Sequence, residues 1–301
     1  MQQARWQRRP FAFRLGGRVA GWGGLLLLCL VAGSAQADGR KPGIDTELSY
    51  TTDNNVTRAQ DDADIRADRV LGVGVGLSLN QPVGTHTRML SRVFVRGEGF
   101  ADNTELSNVA AGFGATFQYR TSGHLLAPTF GLFGKVSVAE FRSSIRNSTF
   151  YTGGLSLTKN LTDRMVTTVI VSGTARDSDS LVFDTREGSA LLNLDYQMRG
   201  GSAWYLSYNF LGGDVVSTAA PTLQILDAAK AVVADDAFGG AAANQFAYRL
   251  HAHTQVVTLG FNFPFSAHHA LDLSARYAHA EADNNLTYDR TLYSIAYLAR
   301  F

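Results

Sequence analysis

Arg290-Thr-Leu-Tyr-Ser-Ile-Ala-Tyr-Leu-Ala-Arg-Phe301 decides the reading of this chain. Taken in steps of two, one face carries Thr291, Tyr293, Ile295, Tyr297, Ala299 and Phe301. The other carries Arg290, Leu292, Ser294, Ala296, Leu298 and Arg300. A period of two is the mark of a strand. An apolar strand left at a sheet edge invites aggregation. A closed sheet has no such edge, because its last strand pairs with its first. The stretch therefore predicts a barrel.

The rest of the chain follows the same pattern. Segments of about ten residues with alternating hydrophobicity, separated by polar loops and short turns, mark an all-β, antiparallel, up-and-down transmembrane β-barrel. They lie near 43–52, 69–80, 87–99, 108–120, 125–138, 150–158, 164–175, 187–198, from Trp204 onward, 247–263, 269–279 and 290–301. The count is about twelve strands, and an even number returns the chain to the side where it began. Short turns then fall at one end of the barrel and longer loops at the other. The longest connection, 212–245, holds a stretch with helical spacing from Pro221 to Val233, with Pro221 suited to a first turn. A connection this long is either functional or disordered.

The third segment fixes which face is inside. Arg88, Arg92, Arg96 and Glu98 share one face with Leu90 and Phe94. An arginine turned to lipid costs roughly 2–4 kcal/mol near the midplane, so this face lines the lumen. The same alternation turns Glu47, Arg120, Lys135, Glu187, Asp195, Arg276 and Arg290 inward. Such a ladder of arginines predicts a water-filled pore that favours anions. The competing expectation is a salt-bridge network that fills a narrow barrel, since small barrels enclose little beyond their side chains. Asp45, Asp272, Arg300 and Phe301 fall at one end of the first and last two strands, and are expected to close the barrel.

A second group of polar residues falls on the opposite face. A hairpin centred near Ser266 would set His253 opposite His279, His251 opposite Glu281, and Arg249 opposite Asp283. Leu259, Phe261, Leu271 and Leu273 share that face, so the group points outward near the loop end. Contact with lipopolysaccharide phosphates and bridging cations fits that position better than catalysis. No G-x-S-x-G, P-loop or EF-hand spacing appears. Neither a catalytic set nor a resident metal or cofactor is expected.

Composition sets further limits. A formal net charge of +1 and the lack of a basic tract or zinc spacing argue against nucleic acid. The one cysteine, Cys29, falls in the leader, which leaves the remainder without disulfide chemistry. Residues 1–37 read as a secretory signal peptide. Arg5, Arg8, Arg9, Arg14 and Arg18 form its basic region, Leu25 to Leu28 its apolar centre, and Ala35-Gln36-Ala37 its cleavage site. The mature barrel is then 38–301.

The terminal stretch resembles the C-terminal strand of Gram-negative outer-membrane barrels, in which the barrel assembly machinery recognises a terminal aromatic. That family usually has another aromatic two residues earlier, where this chain has Ala299. Tyr50-Thr-Thr-Asp-Asn-Asn-Val-Thr-Arg58 and Leu157-Thr-Lys-Asn-Leu-Thr-Asp-Arg164 are similar to phrases of uncharacterised porin-like barrels, some linked to exopolysaccharide export. The resemblance implies an outer-membrane location, with lipid, lipopolysaccharide and the assembly machinery as partners. The expected function is a narrow or gated porin-like channel for small polar or anionic solutes or saccharide. The alternative is a closed-lumen structural barrel, or one that modifies the envelope, acting through its loops and outer face.

Overall fold

The structure, a computed structural model, describes residues 42–301. The leader, Cys29 and the cleavage site lie outside the described residues.

The strands are β1 (Gly43–Asp53), β2 (Asp68–Pro82), β3 (Thr87–Phe100), β4 (Asn108–Arg120), β5 (Thr129–Phe141), β6 (Ser148–Asn160), β7 (Met165–Ser178), β8 (Thr185–Gln197), β9 (Ala203–Ala219), β10 (Ala231–Ala234), β11 (Phe246–Pro264), β12 (His269–Ala282) and β13 (Leu286–Arg300). All pair antiparallel with their neighbours; β9 pairs directly with β11, and the short β10 takes the other edge of β11. β13 pairs with β1, with Arg300 opposite Asp45 and Leu292 opposite Asp53. The result is a closed barrel of 12 strands plus one extra. At the seam the Ile44 amide donates to Phe301 O at 2.9 Å and the Phe301 amide returns a bond to Ile44 O at 2.8 Å.

Alternation places the faces as expected. Outward-facing apolar residues stay open all round the ring: Leu71 is 54% exposed, Leu132 60%, Leu155 61%, Val171 57%, Leu259 49% and Tyr293 62%. A continuous apolar surface of this extent requires lipid rather than water around it. Large inward side chains lie flat along the wall over small neighbours. The Tyr205 ring covers Gly260, where any side chain would collide with it, and the Arg92 guanidinium covers Gly76 in the same way.

Several boundaries differ from the sequence reading. β5 starts at Thr129 rather than 125, because the Arg120 guanidinium donates to the carbonyls of His124 and Leu125 and holds that stretch as a turn. β9 runs on to Ala219, so the long connection begins later than 212. Its helix, α1, spans only Leu223–Ala228, with the Thr222 hydroxyl accepting from the Ile225 amide and Pro221 left outside. After Ala229 the Lys230 amide bonds to Arg249 O, and β10 joins the free edge of β11. Unpaired ladder groups on β11 thus outcompete helical spacing. β13 begins at Leu286, which leaves only Asp283–Asn285 as the loop before it.

Candidate functional site

The lumen and its covered mouth form the candidate site. β8 pairs with β9 only as far as Gly213, and β12 pairs with β11 only as far as Ala252. Beyond those points β9 and β11 leave the wall together as a two-stranded extension that also carries β10. Gly213 marks the bend. Its φ is +146°, and a Cβ there would strike the Arg186 carbonyl.

Loops from around the ring meet this extension. On one face Tyr248 and Leu250 pack with Ala59 of the β1–β2 loop, Ile225 and Ala228 of α1, and Leu286. On the other face Ala247 packs with Val182 and Phe183 of the β7–β8 loop, with Ile145 of the β5–β6 loop beside them. The turn after β10 seats Ala237 among Val70, Phe100 and Leu106. Loops on opposite sides of the ring therefore converge on the extension in three small apolar clusters that cover the loop end.

Polar ties fix the cover. Asp235 is fully buried and takes two bonds from the Arg146 guanidinium, with the Thr218 hydroxyl at 2.6 Å. Asp64 accepts from the Gln245 amide group at 2.8 Å and from the Ala220 amide at 3.0 Å. The Thr218 amide bonds to Thr57 O at 2.8 Å, and the Ser217 hydroxyl to Arg58 O at 2.7 Å. Arg176 donates to Arg146 O at 2.8 Å and lies over the rings of Phe150 and Phe183 at 5.2 Å each. On the extension, beyond the apolar band, Lys230 bonds Asp214 at 2.9 Å. Burial pushes the Asp214 carboxyl up, but the Lys230 ammonium and the Arg186 amide outweigh it and hold the group below its ordinary value.

Below the cover the ladder lines the lumen. Arg92 pairs with Asp45, and its side chain remains 47% exposed. Arg92 faces inward near the turn end, where Asp45 lies close to the start of β1. Arg96 lies 3.4 Å from Glu98 and 3.9 Å from Glu47. Arg88 donates to the Gln118 side chain at 2.6 Å. Arg92, Gly114 and Lys135 lie in one row across β3, β4 and β5, and the Lys135 ammonium sits 5.0 Å from the Phe94 ring. Arg276 on β12 faces inward and is exposed. Asp195 is buried, with the Asn193 amide group at 2.7 Å. The structure thus gathers Arg88, Arg92, Arg96, Glu98 and Lys135 on one wall and sets Asp195 and Arg276 apart from them. Arg120 is occupied by its turn.

These observations meet the comparisons with known proteins. An outer membrane channel from Pseudomonas putida F1 superimposes with a TM-score of 0.59 at 10% identity, covering 88% of this chain and 98% of that one. The fold this chain shares with that protein is the closed antiparallel β-barrel of the outer membrane. The NanC porin overlaps with a TM-score of 0.44 at 7% identity over 85% of this chain and 98% of its own, too weakly to carry an argument. No protein-family model matches the chain, and no curated protein does.

Two sets of site residues are arranged differently from the sequence reading. Asp45 and Arg300 are strand partners, as expected, but Asp45 pairs with Arg92, and Asp272 accepts from the Tyr205 hydroxyl at 3.1 Å. A charged tie across the seam joins Arg290 to Asp53, bidentate and buried at the loop end. Phe301 closes the turn end through its backbone, and its ring stacks on His268 at 6.3 Å.

The outward group is displaced by register. His253 faces Glu281 and Gln255 faces His279. The Phe265 and Ser266 amides both bond to His269 O, which centres the turn on Ala267 rather than Ser266. Arg249 donates to Asp184 O at 2.6 Å, away from Asp283. His279 keeps Asp289 at 2.8 Å and Glu281 at 3.3 Å, while His251 meets His253 edge-on at 5.7 Å. Among the described residues no group of three such side chains is arranged to hold a metal ion.

The sequence reading missed the cover itself. Its signal was available in Asp53-Asn-Asn-Val-Thr-Arg58, a loop phrase whose Asp53, Asn55 and Thr57 are all buried.

Proposed function

We propose that the chain is a gated outer-membrane channel for small polar or anionic solutes or saccharide, exported through its leader, with its turn end in the periplasm and its loop end outside. The observation that carries this reading is an inward-facing Arg92 that water reaches beneath a closed mouth. Arg96, deeper along the same strand, also keeps 36% of its side chain exposed, which a barrel packed solid with its own side chains would not allow. Arg92 and Arg96 of the ladder meet Asp45, Glu47 and Glu98, so much of their field is cancelled. Among the described residues Lys135 has no carboxylate partner within ion-pair distance, and it tilts the lumen toward anions. The expected anion preference is modest, and neutral sugars pass as well.

The second reading is a closed barrel that acts through its loops and outer face, in contact with lipopolysaccharide. The buried Arg146–Asp235 pair favours it, because breaking such a pair costs about 3–5 kcal/mol. Swelling of proteoliposomes in neutral sugar and in gluconate separates the two. The channel reading expects swelling once residues 222–244 are replaced by a short linker, with gluconate at least as fast as a cation of equal size. Liposomes that never swell, with the barrel folded, support the closed barrel.

A further inference from the structure

A cavity of about 100 Å³ lies inside the cover, between its two halves. One half is the β1–β2 loop, which contributes Arg58, Gln60 and Asp61. The other is the β9–β11 extension with α1, which contributes Ser217, Gln224, Ile225 and Leu250. Leu286 and Tyr288 at the start of β13 complete the wall. The space is separate from the Arg92 ladder and from the outward histidines. We propose that it binds a single sugar unit from the outside.

The lining selects that chemistry. Ile225, Leu250 and Leu286 give an apolar floor, and Tyr288 gives an aromatic face. Amides and hydroxyls of Gln60, Gln224 and Ser217 surround them. One cation and one anion, Arg58 and Asp61, are both present, so the site as a whole is neutral. A pyranose matches each part, with an apolar C–H face for the floor or ring and hydroxyls for the amides. A fatty chain would leave the polar wall unsatisfied, and a dianion would meet Asp61. At about 100 Å³ the enclosed space is smaller than the roughly 150 Å³ cavity that holds benzene, so it seats one edge of a pyranose while the rest of the ring lies at its open mouth.

Backbone strain marks the same place. Arg58, Asn284 and Asn285 have φ of 56°, 60° and 57°. Arg58 lines the cavity, and the two asparagines lead directly into Leu286. Strained residues of this kind persist where the surroundings hold them, and they gather at binding sites. The Gln224 side chain bonds to Asn284 O at 2.8 Å and so ties α1 to this strained turn. A sugar that bridges Gln60 to Gln224 would join the two halves of the cover, so occupancy should reinforce the closed mouth.

Binding is read without conductance, so its failure leaves the channel proposal standing. Glucose, galactose and N-acetylglucosamine are titrated against the full-length barrel in detergent, with saturation-transfer NMR as the readout. At least one is expected to bind, and Gln60→Ala together with Gln224→Ala should weaken it about tenfold. A second variant, Ala282→Phe, fills the cavity from β12 and should abolish binding while the heat-resistant folded band survives on gels. If none of the three sugars binds at 20 mM, or if binding is equal in all variants, the proposal is overturned. Should Ala282→Phe fail to fold, the double alanine variant decides alone.

Discussion

Arg92 reaches Asp45 over Gly76, and a Cβ on that glycine would come within 2.6 Å of the guanidinium and 2.8 Å of the carboxylate. The pair is neutral as a unit and half open to water. Arg92→Gln therefore leaves a bare carboxylate in the lumen and should move the reversal potential of the opened channel toward cations. Arg92→Gln with Asp45→Asn should return it close to the parent value. Equal shifts in both variants would show that the pair does not act as a unit. Lys135 has no such partner, so Lys135→Gln should shift selectivity by itself, and Asp45→Asn should not correct it. At the mouth, Asp235→Ala strands the Arg146 guanidinium in a buried site. The penalty is about 3–5 kcal/mol and falls on the cover rather than the wall. Faster proteolysis within 220–245 with an unchanged folded band on gels is the expected result, and loss of the whole barrel would contradict it.

The extension is the element that turns a barrel into a closed one. Its bend at Gly213 cannot be copied by a residue with a side chain, because φ of +146° and the Arg186 carbonyl both exclude it. Gly213→Val should therefore loosen the cover and raise conductance, while Gly188→Ala in the open outer wall should change neither conductance nor folding. The Asp214–Lys230 tie should play little part in any response to pH. Its carboxyl is held below the ordinary value, so the contact is fully made above about pH 4 and fades only as pH falls through the lowered folded value. Cover opening measured by protease access should accordingly be flat between neutral pH and pH 5, as far as this pair is concerned. The strands of the wall were legible because each repeats every two residues and because lipid tolerates no error of phase. Arg88, Arg92 and Arg96 fixed that phase locally. The extension was not legible, because its alternation runs on past Gly212, where a loop was expected, and its two faces are buried by partners from distant loops. Helical spacing from Pro221 to Val233 was real but was outweighed after Ala229 by the open edge of β11. The outward histidine pairs failed for a narrower reason. One position in the centre of a hairpin turn moves the facing partner by two residues, and only the bonds from Phe265 and Ser266 to His269 fix that centre.

At the scale of the whole molecule, a lipid-facing wall encloses charged residues that water reaches, and loops from opposite sides of the ring seal one end. The wall is held along every strand pair, including the seam at Ile44 and Phe301. The cover is held by the ion pairs Arg146–Asp235 and Lys230–Asp214, by hydrogen bonds of Asp64, Ser217 and Thr218, and by small apolar clusters. Wall and cover should therefore part company under stress, with the cover yielding first. The central claim, that an aqueous path exists and the cover blocks it, is tested most directly by single-channel recording in planar bilayers. The parent chain and a variant with 222–244 replaced by a short linker are compared under the same voltage. The account predicts few or no steps for the parent and discrete, weakly anion-selective steps for the variant. A variant that inserts and folds yet gives no steps at any voltage would contradict it.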